Sequence, residues 1–231
     1  MNTESIDWSA TEESLWNQGF ASLGKILNDE ECDDLTALYP DEKHFRSRIN
    51  MERYRFGRGE YQYFAYPLPE TVTQLRTNLY TNLAPIANRW MDALNLPGDY
   101  SVEYDRFLDL CHTNGQTRPT PLMLRYTPGD YNCLHQDIYG DTVFPFQVIF
   151  SLSEPNKDFI GGELLLVEQR PRAQSIGNVL LPRKGEAVVI TTRWRPVRGT
   201  RGFYRAALKH GVSTVHTGTR FTLGIIFHDA K

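Results

Sequence analysis

The sequence predicts an α+β chain: a double-stranded β-helix, or jelly roll, with N-terminal helices packed on one of its sheets. From Pro119 onward, short apolar-rich segments alternate with Gly and Pro punctuation, the pattern of many short strands. Before that point the apolar residues recur mainly at helical spacing. The 231 residues, 40% of them hydrophobic, suffice for one sizeable core and are short for two. The expected division is a mixed, largely helical region over 1–118 and a jelly-roll core over 119–231, together one structural domain.

The elements follow in order. Asp29-Glu30-Glu31-Cys32 opens a helix, with acidic residues in the first turn where the macrodipole favours them. Phe45 to Met51 and Tyr54 to Ala65 read as strands or a hairpin, with Gly57 and Gly59 at the turn. Pro69 to Leu96 is helical in period, through Leu75, Leu79, Leu83, Ile86, Trp90 and Leu94. Pro85 is expected to kink or split it. Residues 101–112 predict a further short helix. Eight strands are then expected, at 121–127, 131–138, 144–152, 162–168, 173–181, 186–192, 204–213 and 219–228.

No apolar run approaches membrane-spanning length, and the acidic start Met1 to Asp7 lacks the build of a signal peptide. Cys32, Cys111 and Cys133 are an odd set without paired spacing, which argues against a disulfide framework and predicts a cytoplasmic protein.

The chemistry concentrates in His135-Gln136-Asp137, His210 and Arg220. Residues i and i+2 of a strand share a face, so Cys133, His135 and Asp137 fall together on the strand that follows the turn Thr127-Pro128-Gly129-Asp130. Two imidazoles and one carboxylate, with open positions opposite, are the donor set of non-heme Fe(II) oxygenases. Imidazole and carboxylate also suit Zn, Ni and Mn. His216 and His228 are rivals to His210. His210 is preferred because it lies within the strand pattern Ala206 to Ser213, whereas His216 follows a turn and His228 sits at the end of the last strand. Cys133 is expected to be a small core residue. Arg220 opens the last clear strand, and its guanidinium fork matches a carboxylate, as a dicarboxylic cosubstrate would require.

The ordered set Tyr126, His135-Gln136-Asp137, Gly161-Gly162-Glu163-Leu164, His210-Gly211-Val212-Ser213 and Gly218-Thr219-Arg220-Phe221 resembles the Fe(II)/2-oxoglutarate-dependent dioxygenases, in particular the prolyl-4-hydroxylase-like branch. It also resembles an uncharacterised bacterial oxygenase group linked to alkylated nucleic acid. The resemblance implies Fe(II) on His135, Asp137 and His210, 2-oxoglutarate held by Arg220 with Tyr126 near it, and O2 as oxidant. Related hydroxylases often carry a cosubstrate-contacting tyrosine on the strand after His-x-Asp. Here that strand is Phe146-Gln147-Val148-Ile149-Phe150-Ser151, so Gln147 or Ser151 takes that place. The implied reaction is hydroxylation of an unactivated C–H bond, with 2-oxoglutarate decarboxylated to succinate.

Charge bears on the substrate. Residues 1–45 hold eleven acids against Lys25 and Lys43, whereas residues 169–220 hold eleven Arg or Lys against Glu186 alone. Arg193, Arg195, Arg198 and Arg201, interleaved with Trp194 and Phe203, read as a substrate approach. A second such stretch contains Arg46, Arg48, Arg53, Tyr54, Arg55, Phe56 and Arg58. A solvated face, neutralised by the acidic N-terminal part, competes with that reading. A protein or peptide side chain or an alkylated nucleobase is the expected substrate, ahead of a free small molecule as a third possibility. The alternative from another class is a non-catalytic jelly-roll binding protein with a basic surface for nucleic acid or acidic partners.

Overall fold

Local chemistry starts the helices, and packing holds them. The computed structural model describes all residues from Met1 to Lys231. Helix α1 (Trp8–Gln18) is capped by Asp7, whose carboxylate accepts from the Ala10 N–H. Helix α2 (Asp29–Ala37) begins with a reciprocal capping box between Asn28 and Glu31. Helix α3 (Glu70–Leu94) continues through Pro85, so the expected split does not occur. An interior proline costs about 3 kcal/mol. Leu75, Leu79, Leu83 and Trp90 are fully buried, and each contributes roughly 1.5–3 kcal/mol, so packing outweighs the loss. Helix α4 (Tyr104–Thr113) is the short helix expected at 101–112.

The strands are β1 (Phe20–Lys25), β2 (Phe45–Asn50), β3 (Gly57–Arg58), β4 (Glu60–Phe64), β5 (Leu122–Tyr126), β6 (Tyr131–His135), β7 (Phe146–Ser151), β8 (Phe159–Gly161), β9 (Leu164–Gln169) and β10 (Ile176–Leu180). They continue with β11 (Glu186–Thr191), β12 (Trp194–Gly199), β13 (Gly202–Val212), β14 (Val215–Gly218) and β15 (Arg220–Ile226). A seven-stranded sheet has the order β1-β11-β7-β15-β5-β4-β2, and a smaller sheet the order β10-β9-β13-β6-β3, with β12 beside β13. Strands β14 and β8 form a two-stranded piece. All eight strands expected from 119 onward are present.

The main core lies between the large sheet and the helices, where Val148, Phe150, Val189, Leu223 and Ile225 meet Leu79, Leu83 and Trp90. Between the two sheets the filling changes along the barrel. Phe20, Leu164, Leu166, Val188, Ile190 and Leu208 close one end with apolar side chains. The other end carries the polar residues of the candidate site.

Several elements escaped the sequence pattern. Helix α1 and strands β1, β8, β12 and β14 are additional, being short or weakly periodic. The region 1–118 contributes four strands to the core sheets as well as its helices. Strands β2 and β4 extend the large sheet while β3 pairs with β6 of the small one, so residues 45–64 join the two sheets. The stretch 193–205 is a hairpin of β12 and β13.

Candidate active site

Strands β6 and β13 build the centre of the site. His210 lies directly across from His135, with ring centroids 4.2 Å apart. Asp137 lies just past the end of β6. The ligand atoms of His135, Asp137 and His210 all fall within 4.8 Å of one another. Asp137 Oδ1 is 3.5 Å from His135 Nε2, and its Oδ2 is 3.2 Å from His210 Nε2. Donors on one face of an octahedron with bonds near 2.1 Å stand about 3 Å apart, so this set fits a single ion.

The pairing contains a bulge. His210 opposes His135 and Val212 opposes Asn132, two steps on β13 against three on β6. Cys133 and Leu134 therefore leave the regular alternation, and Cys133 is exposed instead of lying in the core. The bulge brings β6 backbone close to Gly211, where an added Cβ would sit 2.7 Å from the Asn132 carbonyl oxygen. The glycine after His210 thus permits the approach that aligns the two histidines.

Two of the three ligands, His135 and Asp137, are oriented by neighbours. The Cys133 carbonyl can only accept, so the 2.7 Å contact places the His135 proton on Nδ1 and leaves Nε2 free for a metal. Asp137 Oδ1 accepts from the Tyr139 hydroxyl at 2.9 Å, and Oδ2 accepts from the Gln147 amide at 2.8 Å. Burial pushes the Asp137 pKa up, but the two histidines outweigh it and hold the carboxyl well below the usual range. Burial pulls the His135 imidazole down, yet its contacts with Asp137 dominate and raise it. Burial and then the neighbouring His135 depress His210. Sequence reasoning missed Tyr139, although it continues the i, i+2 series from His135 and Asp137.

Arg220, paired with Tyr126 across β15 and β5, is buried at the same end of the barrel. Its Nη1 has no hydrogen-bond partner. Burial depresses its pKa, with Tyr126 and Glu163 only partly compensating. Gly162 leaves room for its stem, because a Cβ there would stand 2.9 Å from Arg220 Cδ. A buried guanidinium without a counter-ion is costly and fits an anionic ligand. The Tyr126 ring lies 5.5 Å from the Arg220 guanidinium carbon, and its hydroxyl accepts from Asn132 at 3.3 Å.

Other expected site residues have partners within the chain. The Gln147 amide is committed to Asp137, so its visible role is to orient that carboxylate. The Ser151 hydroxyl donates to the Ser153 carbonyl at 2.9 Å rather than facing an open pocket. His228 is fully buried and is not part of the triad, its Nδ1 accepting from the Phe144 N–H. Arg195 is only 3% exposed, donating to Glu168 at 2.7 Å and to the Trp16 carbonyl at 2.8 Å, which removes it from any substrate approach. Arg198 and Arg201 lie at the turn of the β12–β13 hairpin, roughly 26 Å of strand from His210, where Phe203 packs on Trp16. Arg193 alone of the four is close, since Gln136 donates to its carbonyl at 3.0 Å. The exposed apolar residues at the site's rim are instead Tyr54, Phe56, Tyr131, Leu134 and Ile138.

This fold is shared with 2-oxoglutarate-Fe(II) oxygenases. A prolyl-4-hydroxylase from Pseudomonas putida superposes with a TM-score of 0.59 at 15% identity, covering 97% of this chain and 99% of that one. A 2OG-Fe(II) oxygenase family oxidoreductase from Burkholderia pseudomallei gives 0.59 at 15% identity, over 98% and 93%. Residues 59–230 match the model of the family described as "Oxygenase, catalysing oxidative methylation of damaged DNA". The chain belongs to this family and is an oxygenase. The uncharacterised Mycobacterium tuberculosis protein Rv2227 is 48% identical over 167 residues, 72% of either chain. No helix is long and apolar enough to cross a membrane.

Proposed function

We propose that this oxygenase uses Fe(II) and 2-oxoglutarate to oxidise a C–H bond of an alkylated base in nucleic acid. The observation that carries the cofactor assignment is the buried Arg220 Nη1 without a partner, at the same end of the barrel as a histidine-aspartate-histidine cluster. In this reading His135, Asp137 and His210 hold the metal. Tyr139 and Gln147 fix the carboxylate so that it does not rotate when the metal binds. Arg220 takes the distal carboxylate of 2-oxoglutarate, with the Tyr126 ring 5.5 Å from its guanidinium carbon. Iron held there would supply the oxidation, in which one oxygen atom of O2 enters the substrate and the other enters succinate with release of CO2. The surrounding chain holds the two substrates in register with the metal.

The description of the matched family, which names damaged DNA, supports the nucleic-acid substrate. The fold shared with prolyl hydroxylases supports the second reading, a protein or peptide side chain. An anaerobic titration of metal-free protein with Fe(II) and then 2-oxoglutarate tests the cofactors. The expected result is a visible charge-transfer band, lost in His135→Ala and weakened in Arg220→Met. Absence of the band in folded wild-type protein overturns the assignment. Succinate release stimulated by alkylated oligonucleotides, and not by peptides, tests the substrate.

A further inference from the structure

We propose that the turn over residues 51–58 is a stacking platform for single-stranded nucleic acid, delivering a base to the metal site beside it. This deepens the nucleic-acid reading above and rests on it. The Tyr54 and Phe56 rings stack on each other, with centroids 5.6 Å apart and planes 19° from parallel. They are nevertheless 56% and 49% exposed. Two parallel aromatic rings held in water present a flat outer face, the shape that continues a stack of bases.

The turn that carries the rings is pinned through its backbone. Met51 is fully buried, and the Phe56 N–H donates to its carbonyl at 3.1 Å. Arg55 adopts the left-handed conformation at φ 61°, which closes the turn. The Phe56 carbonyl accepts from Cys133 at 2.8 Å, which leaves the platform two residues, roughly 7 Å of strand, from His135. A preorganised surface at that distance loses little entropy on binding.

Charge favours a polyanion. Arg53 and Arg55 flank the rings, exposed and without ion-pair partners, and Arg58 follows, drawn loosely towards Asp130 at 3.5 Å. Glu52 is the single acid of the turn. By contrast Arg195, in the stretch richest in arginine, is neutralised by Glu168. Alternating aromatics and cations suit bases and phosphates better than an acidic peptide, which offers charge without planar faces. Proximity to a buried site suits an unpaired strand, because a base inside a duplex cannot reach the metal.

The test measures binding of a short fluorescein-labelled oligothymidylate to the full chain by anisotropy, over a range of salt. Tyr54→Ala/Phe56→Ala is expected to weaken binding by roughly 5-fold or more, while Tyr54→Phe/Phe56→Tyr retains it. Arg53→Ala/Arg55→Ala is expected to lower the slope of log affinity against log salt by about 1.4, near 0.7 per lost phosphate contact. The thermal midpoint of each variant verifies folding, and Tyr54→Leu/Phe56→Leu, which keeps apolar bulk without a planar face, is expected to weaken binding likewise and replaces the alanine pair if that pair unfolds. Wild-type binding that a folded alanine or leucine pair leaves unchanged overturns the platform and leaves the nucleic-acid substrate standing. No wild-type binding at low salt overturns both. Equal ring-dependent binding of a polyglutamate peptide overturns the assignment to nucleic acid.

Discussion

Arg220→Met separates a ligand-binding arginine from a structural one, because the two roles predict opposite signs. Methionine keeps the unbranched stem beside Gly162 and removes only the guanidinium. In the free protein that guanidinium is buried with Nη1 unpartnered, so its removal breaks no hydrogen bond at that atom. Replacing desolvated charge with an apolar group of similar volume is neutral or stabilising by about 1–4 kcal/mol. Urea denaturation of the metal-free protein should therefore show unchanged or higher stability. On the proposed reading the same group meets a carboxylate in the loaded protein, and truncating one partner of a buried charge pair costs about 2–5 kcal/mol, or roughly 30- to 5,000-fold in 2-oxoglutarate affinity. Wild-type protein at about 100 times its Kd gains about 2.7 kcal/mol from the ligand, a gain the variant lacks at the same concentration. A variant that loses more than about 2 kcal/mol without ligand, yet keeps wild-type affinity for 2-oxoglutarate, would refute this reasoning.

Tyr139→Phe and Gln147→Leu each free one oxygen of Asp137 and should weaken Fe(II) binding about 10- to 100-fold in a metal titration, with little change in 2-oxoglutarate affinity at saturating metal. Gly211→Ala forces a Cβ against the Asn132 carbonyl and should cost about 1–3 kcal/mol, seen as a lower Tm together with weaker metal binding. Arg195→Met leaves Glu168 buried beside Arg170 alone and should destabilise the fold by about 3–5 kcal/mol, while the salt dependence of oligonucleotide binding stays at the wild-type value. Burial pushes the His228 pKa down to about 3, and its Nε2 has no partner. The unfolded chain takes up this proton near pH 6.5, so the stability contribution is complete above that pH and declines from there towards pH 3. Between pH 7 and pH 5 the wild type should lose about 2 kcal/mol more than His228→Asn, measured by denaturation at the two pH values.

The sequence alone determined the jelly-roll class and brought out His135, Asp137 and His210 as a metal set, with Arg220 proposed beside them. Both are written in local properties. Strands announce themselves by alternation and turn residues, and a metal site by residue types that few other contexts bring together. Tertiary structure decided what depends on partners across the fold. Arg195 and Arg220 look alike along the chain, each on a short strand near aromatics. Glu168 faces one of them and no carboxylate meets the Nη1 of the other, which makes the first a strut and the second a candidate anion site. Gln147 was legible as an inward-facing polar residue, but only the fold brings Asp137 to its amide. Pro85 predicts a break wherever propensity governs, and packing of α3 on the sheet overrode it. The bulge opposite Gly211 and the double pairing of residues 45–64 leave no period in the sequence, because they arise where two strands meet. A side chain's type and spacing are local facts, whereas its charge balance and exposure are set by whichever distant residue the fold places against it.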